Sequence, residues 1–173
     1  EFRRVLFRSL RALPAALLLA FSGLASAAAY QALEQNASGL GVAYAGSAAV
    51  ADNAATMFGN PAGMTRLAGI NLSLGAVGVS ESYKFRGVNG VSSGGNAGET
   101  NTLPNAYLTW QFTPGLSVGL GISRPAVLET RYAAGWVGAA TAIDTELTTV
   151  NVNPALAYKV NDLVSLGAGL NYQ

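Results

Sequence analysis

The chain has no cysteine and no histidine, and only 11% of its 173 residues are charged. Without these two residue types, the sequence excludes disulfides, the common zinc ligand sets and Ser-His-Asp or Cys-His nucleophilic machinery. The formal net charge of +1, with no basic run, argues against a nucleic-acid partner. We therefore expect a protein that is not an enzyme and that needs no metal or cofactor.

Beyond its N-terminal region the sequence also lacks any run of 18 apolar residues, although 50% of the chain is hydrophobic. A transmembrane helix needs such a run. An apolar chain with 21 glycines and no spanning helix is instead typical of a transmembrane β-barrel.

The first 27 residues are not expected in the mature fold. Residues 10–27, LRALPAALLLAFSGLASA, combine a basic start, a short apolar core and a final Ala-Ser-Ala, which is the pattern of a cleaved signal peptide. The alternative, a buried or membrane helix, requires a longer apolar core. Residues 1–9, EFRRVLFRS, match the translation of a common sequencing-adapter end and are interpreted as an artefact. The alternative is an ordinary basic leader.

Residues 28–67 form an alanine-rich segment with few β-branched residues. Short helical turns are expected at residues 46–55, and Asn60-Pro61-Ala62-Gly63 predicts a break, because proline disfavours a helical residue before it. The segment is too weakly apolar to form its own core. We expect a compact N-terminal plug, or hatch, that needs a container.

From residue 68 onward the hydrophobic period becomes two, which predicts β-strands. Tight turns are expected at Thr113-Pro114-Gly115 and Asn161-Asp162, and long loops at residues 81–103 and 133–144. Short turns at one end and long loops at the other are the layout of outer-membrane barrels. The predicted strands are residues 70–76, 106–112, 116–123, 148–158 and 164–173.

The opposite faces of these strands differ in character. One face is apolar, and the other carries mostly Gly, Ser, Asn and Thr, which suits a wet or plugged lumen. A secreted soluble β-protein is the alternative. Closed bacterial barrels have an even strand number of at least eight, so we expect this chain to be part of a larger barrel. The aromatic residues expected at the membrane interfaces are Tyr107, Trp110, Phe112, Tyr158 and Tyr172.

An ordered set of segments resembles the FadL family of outer-membrane transporters of long-chain fatty acids and other hydrophobic compounds, including its OmpP1 and TodX members. The resemblance covers residues 32–173. The segments are EQNASGLG at 34–41, AYAG at 43–46, ADNA at 51–54, NPAGM at 60–64, LETRY at 128–132, GW at 135–136 and TVNVNPALAY at 149–158.

The resemblance implies an all-β fold, a 14-stranded antiparallel barrel closed by a partly helical N-terminal hatch. Residues 28–67 would supply the hatch and residues 68–173 about the first five strands. It implies uptake of apolar molecules from outside and sideways release into the membrane through an opening at a kinked third strand. The implied setting is the outer membrane of a Gram-negative bacterium, with outer-membrane lipid as a partner and a monomeric full-length protein.

The candidate kink is Ser123-Arg124-Pro125-Ala126-Val127, because Pro125 interrupts the third alternating run and removes a ladder donor. The break is a candidate lateral opening, and the alternative is an ordinary rim bulge or an early strand end. Arg124 is expected to pair with a substrate carboxylate or to lie at the membrane interface.

Within the hatch, Asn60-Pro61-Ala62 is either a plain turn or, as the resemblance implies, a gating motif that packs near the kink and moves when ligand binds. Four hatch residues offer apolar or soft surface that suits an alkyl chain, and each is equally a candidate for hatch packing. These candidate ligand contacts are Tyr44, Met57, Phe58 and Met64.

Three functions remain open at this point. The first is passive, ligand-gated uptake of long-chain fatty acids, and the second is import of aromatic hydrocarbons by the same family. The third is a non-transporting surface protein or adhesin, which would have no need of a hatch.

Overall fold

A computed structural model describes residues 34–87 and 94–173 of the chain. The predicted signal peptide and the suspected adapter residues lie outside this part. Within the two ranges, no helix has the length and apolar character needed to cross a membrane. The elements are α1 (Ala37–Leu40), α2 (Thr56–Gly59), a 3₁₀-helix (Pro61–Arg66), β1 (Ile70–Ser80), β2 (Thr100–Thr113), β3 (Leu116–Ser123), β4 (Val127–Arg131), β5 (Asp144–Thr148), β6 (Asn151–Lys159) and β7 (Ser165–Gly169).

Five of these strands form one antiparallel sheet in the order β1-β2-β3-β6-β7, and β4 pairs with β5 in a separate hairpin. The turns that join the large sheet are capped locally. The Thr113 hydroxyl accepts from the Leu116 amide at 3.1 Å, and Asn161 Oδ1 accepts from the amides of Leu163 and Val164 at 2.9 and 2.8 Å. Side-chain caps of this kind fix tight turns between antiparallel strands.

The two faces of the sheet have opposite character, as the alternation predicts. On the outer face the apolar side chains stay exposed, whereas the inner face is covered by residues 34–67, the hatch as the structure describes it. Exposed apolar side chains in this quantity match a lipid-facing wall. The most exposed on β1 to β3 and β6 are Ile70, Leu72, Leu74, Phe112, Leu120, Ile122, Leu156 and Tyr158.

The hatch and the inner face share one small core. Met57 and Met64 are fully buried in it, and small residues, Ala155 and Ala157, provide the floor on β6. Gly119 of β3 makes room for both methionines, because a Cβ there would come within 2.7 Å of Met64 Sδ and 3.0 Å of Met57 Cε. The small inner-face residues therefore let the hatch approach the sheet closely.

Three sequence predictions need correction. The alternation did not predict the β4–β5 hairpin, because Glu, Arg and Asp interrupt its short apolar pattern, although the family resemblance assigns residues 128–132 to a strand. β2 begins at Thr100, not at residue 106, since the polar run before Asn105 lacks the apolar alternation. Tyr107 is not an interface aromatic: it points inward and is only 1% exposed.

Candidate functional site

The candidate site begins where β3 ends and β4 starts. β3 pairs with β6 up to Ser123 and Asn151, and β4 pairs with β5 from Val127 and Thr148. Three residues, 124–126, thus oppose two residues, 149–150. One extra residue on one strand is a β-bulge, which bends the strand that carries it. The Ala126 amide donates to Thr149 Oγ1 at 3.1 Å, so the bulged side remains attached to its neighbour.

On its other side the bent strand separates from β2. The last contact before the bend is the Arg124 amide donating to the Pro104 carbonyl at 3.2 Å, and pairing resumes as an isolated bridge between Gly98 and Thr130. Five residues on each strand, 99–103 and 125–129, lie between these contacts. In the part of the chain that the structure describes, no ladder pair joins them. We call this interruption the gap.

Two prolines lie at the end of the gap that is next to β3. Pro125 has no N–H to donate, and Pro104 cannot return the hydrogen bond that its carbonyl accepts from Arg124. Within sheets proline is most common at edges, strand starts and bulges, where a missing ladder donor costs least. The sequence analysis identified Pro125 but gave no role to Pro104, because the loop predicted at residues 81–103 ends just before it.

Arg124 lies beside the gap, with its guanidinium Nη2 donating to the Thr148 hydroxyl at 3.2 Å. That hydroxyl in turn donates to Glu146 Oε1 at 3.3 Å. The guanidinium is therefore tied to the β4–β5 hairpin. Its Nε is buried without a hydrogen-bond partner among the described residues, so the interface role and the pairing with a substrate carboxylate both stay predictions.

The structure separates the Asn60-Pro61-Ala62 motif from the kink. Pro61 and Ala62 lie on Gly167 of β7, where any Cβ would overlap their backbone atoms. Gly167 is level with Ala157 on β6 and Ser117 on β3, six residues along from Ser123. At about 3.3 Å per residue that is roughly 20 Å from the kink. In the structure, therefore, the motif does not pack near the kink as the resemblance implied.

Around the motif the hatch is tied to the short-turn end of the sheet. The Asn60 side chain donates to the Ala48 carbonyl at 2.8 Å, and the Thr65 hydroxyl contacts the Ser165 hydroxyl at 3.0 Å. Asn60 itself has a non-helical φ of −147°, as a residue before proline should, and Pro61 opens the 3₁₀-helix. The motif thus anchors the C-terminal end of the hatch.

The four candidate ligand contacts serve the hatch itself in this structure. Met57 and Met64 are fully buried against β3, and the Phe58 ring meets the Tyr107 ring edge-on at 6.4 Å. The Tyr44 hydroxyl donates to the Asn36 carbonyl at 2.5 Å, and burial raises the pKa of Tyr44. The packing alternative is therefore the one that the contacts support.

The hatch residue that lies near the kink is Gln35. Its carbonyl accepts from the Tyr107 hydroxyl at 2.9 Å, and Tyr107 lies one inner-face position from Asn105, the partner of Ser123. Sequence reasoning missed this contact, because it joins residues 72 positions apart. The sequence did offer one indication. Tyr107 alternates with the apolar residues of β2 and therefore belongs to the inner face, which is otherwise mostly polar.

Replacing Tyr107 with Phe is expected to loosen the N-terminal end of the hatch. The change leaves the Gln35 carbonyl without this donor, which costs about 1 kcal/mol and corresponds to about fivefold faster amide exchange. Hydrogen–deuterium exchange of residues 34–44 measures it, with Tyr158→Phe on the exposed outer face as the control. Equal exchange in the two variants would contradict the attachment.

A cleft of 430 Å³ lies between the 3₁₀-helix and the β6–β7 turn. Arg66, Lys159 and Asp162 are among its lining residues, and Lys159 Nζ is 2.7 Å from Asp162 Oδ1. The hydrogen bond to Lys159 lowers the pKa of the Asp162 carboxyl. This charged lining does not match an apolar ligand. Across residues 34–87 and 94–173, no group of three or more Asp or Glu could hold a metal ion.

The hatch, the lipid-facing wall and the gap define an outer-membrane β-barrel architecture, and comparisons with known proteins identify which kind. Residues 18–173 match the family described as outer membrane protein transport protein (OMPP1/FadL/TodX). The computed fold is similar to the crystal structure of a Pseudomonas aeruginosa FadL homologue, with a TM-score of 0.69 and 25% identity, over 83% of this chain and 37% of that one.

Two curated relatives extend this similarity. Outer membrane protein P1 of Haemophilus influenzae is 33% identical over 181 residues, covering 92% of this chain and 38% of the relative. The long-chain fatty acid transport protein of Escherichia coli strain K12 is 31% identical over 150 residues, covering 83% of this chain and 33% of the relative. The chain spans little more than a third of the length of such relatives.

The chain therefore belongs to the OMPP1/FadL/TodX family of outer membrane transport proteins. Membership confirms the all-β fold class and an outer-membrane location in a Gram-negative bacterium. The family is described as one of transport proteins.

Proposed function

We propose that the protein of which these residues form the hatch and the first strands carries hydrophobic molecules, long-chain fatty acids in particular, across the outer membrane. Release is sideways, through the gap between β2 and β4. The single observation that carries the proposal is the gap itself, where five residues on each strand do not pair with each other between two points of contact.

A gap of this kind is costly in a membrane, which supports a functional role. Unpaired backbone groups have no water to bond in the hydrocarbon core, so barrels normally pair every strand along its length. Two prolines and a bulge at one place keep the strands apart. A molecule leaving through the wall would avoid the polar surface that it would have to cross at either end.

The substrate class is supported by the outer face and by the relatives. On the outer face of β3, exposed Leu120 and Ile122 lie just before the gap, so an apolar molecule leaving it meets apolar surface. The E. coli relative is named for long-chain fatty acid transport. The name of this relative favours fatty acids over aromatic hydrocarbons, which the TodX part of the family name keeps as the alternative substrate.

We propose that the hatch controls access to this route. Its Asn60-Pro61-Ala62 motif starts the 3₁₀-helix, whose Met64 carbonyl lies 3.3 Å from Ser117 Oγ of β3. Its other end meets β2 through Gln35 and Tyr107. A shift of the hatch would therefore displace β2 and β3, the two strands that lead to the gap.

Uptake of labelled oleate tests the transport proposal. Cells that lack the gene are expected to take up oleate about tenfold more slowly than cells carrying it, since an intact outer membrane is a poor route for apolar anions. Labelled toluene, measured in the same cells, separates the two substrate classes. Equal uptake of both compounds with and without the gene would favour the surface-protein alternative and overturn the proposal.

A further inference from the structure

Three asparagines lie on the inner face of the sheet, at the end of the gap that is next to β3. We call these three residues, Asn105, Asn151 and Asn153, the amide row. Asn105 pairs with Ser123 on β3, and Ser123 pairs with Asn151 on β6, so these residues lie side by side across three strands. Asn153 is the next inner-face residue on β6. Because Ser123 is the last residue of β3 before the bulge, a molecule leaving through the gap passes this row.

Each asparagine of the row is buried and keeps one side-chain atom without a hydrogen-bond partner. Asn151 is 0% exposed, Asn153 2% and Asn105 7%. The free atoms are one donor, Asn105 Nδ2, and two acceptors, Asn151 Oδ1 and Asn153 Oδ1. Buried polar atoms are nearly always paired in native proteins, so three unpaired atoms together point to a partner that is not part of the described chain.

The other side-chain bonds of the row hold it in place. Asn151 Nδ2 donates to Asn171 Oδ1 at 3.0 Å, and Asn153 Nδ2 donates to the Leu170 carbonyl at 2.8 Å. The Asn105 amide lies over Gly75, where a Cβ would come within 2.9 Å of its Oδ1. The row is therefore a preorganised surface and not a set of loose side chains.

We infer that the amide row binds the uncharged, hydroxyl-bearing head group of a hydrophobic molecule, an alcohol or a protonated carboxylic acid, on its way to the gap. A hydroxyl both accepts and donates, so it can bond either the free donor, Asn105 Nδ2, or a free asparagine Oδ1. An ionised carboxylate only accepts, so it can bond Asn105 Nδ2 but not the two free asparagine oxygens of the row. The inference rests on the proposed function and adds a head-group site to it.

Binding of two matched ligands tests the inference. 1-Decanol and undecane have the same number of heavy atoms and differ only in the hydroxyl. Each is used to displace a fluorescent alkyl probe from the full-length protein in lipid nanodiscs. The measured quantity is the ratio of their two dissociation constants, because comparing this ratio between variants cancels differences in partition into lipid.

Asn151→Leu is expected to shift this ratio about tenfold against decanol, since it removes a hydrogen-bonding partner of the head group. Undecane binding in the same sample shows that the variant is folded, and Asn105→Leu on β2 provides a second variant with the same expectation. Asn71→Leu is the matched control, because this inner-face asparagine lies near the short-turn end and its amide already donates to the Ala68 carbonyl. It should leave the ratio unchanged.

The possible failures can be told apart. An unchanged ratio in Asn151→Leu and in Asn105→Leu, with both ligands still bound, overturns the head-group site and leaves the transport proposal standing. If neither ligand displaces the probe from the wild-type protein, the proposed function fails and the inference fails with it.

Discussion

Deletion of Pro125 is expected to lower uptake of a hydrophobic substrate about tenfold or more, to the level of cells without the protein, because it closes the gap. The bend exists because residues 124–126 oppose only residues 149–150. Removing one residue makes the two sides equal. β3 and β4 then become one regular strand, which can pair with β2 through the gap once the Gly98–Thr130 bridge moves by one residue.

Two substitutions separate the bulge from the proline that it contains. Pro125→Ala restores the N–H but keeps the extra residue, so we expect uptake to stay within about twofold of the wild type. Pro154→Ala is the matched control, since Pro154 lies in β6 within a regular ladder, paired with Leu120. If the deletion variant reaches the outer membrane and still transports normally, lateral release through the gap is wrong.

Replacement of Gly167 with Val is expected to detach the C-terminal end of the hatch from β7. A Cβ at this position overlaps the backbone of Pro61 and Ala62, which cannot move as a flexible side chain would. We expect a cost of about 3 kcal/mol, at the upper end of the range for overpacking. Faster amide exchange in residues 60–67, together with sensitivity of the cells to large antibiotics, measures the loss.

The same substitution at Gly78 is the matched control. Gly78 lies on the exposed outer face of β1 with no atom within 4 Å of a Cβ built there, and valine favours strands. The amide exchange rate of the hatch in Gly119→Ala should lie between those of the Gly167→Val and Gly78→Val proteins, because its new Cβ meets the flexible ends of Met57 and Met64. Normal exchange in the Gly167→Val protein would contradict the anchoring role of the motif.

The strands were the most predictable part of the molecule. Alternation of apolar and polar residues defined β1, β3, β6 and β7 and the second half of β2, because each has one face toward lipid and one toward the hatch. The alternation did not predict the β4–β5 hairpin, because this hairpin has ion pairs in place of an apolar face. Arg131 pairs with both Glu129 and Asp144. Hydrophobic alternation cannot reveal a strand whose side chains pair through charges.

The site was predictable only in part, because register is a long-range property. Pro125 indicated a break from the sequence alone, but the extra residue at the bulge appears only once β3 and β6 are aligned. The amide row was invisible for the same reason, since Asn105 and Asn151 are 46 positions apart in the sequence. The assignment of Asn60-Pro61-Ala62 to gating stays a prediction, as do the domain limits at residues 27 and 67.

The two tryptophans of the chain lie in very different surroundings. Trp110 is on the lipid-facing side of β2, 45% exposed and edge-on to Phe112, whereas Trp136 lies in a long loop, stacked on Tyr132 at 3.9 Å. Bromine atoms on lipid chains are expected to quench the fluorescence of Trp110. Iodide dissolved in water is expected to quench that of Trp136. The protein thus contains two intrinsic optical reporters, one for insertion of its wall and one for the order of its loops.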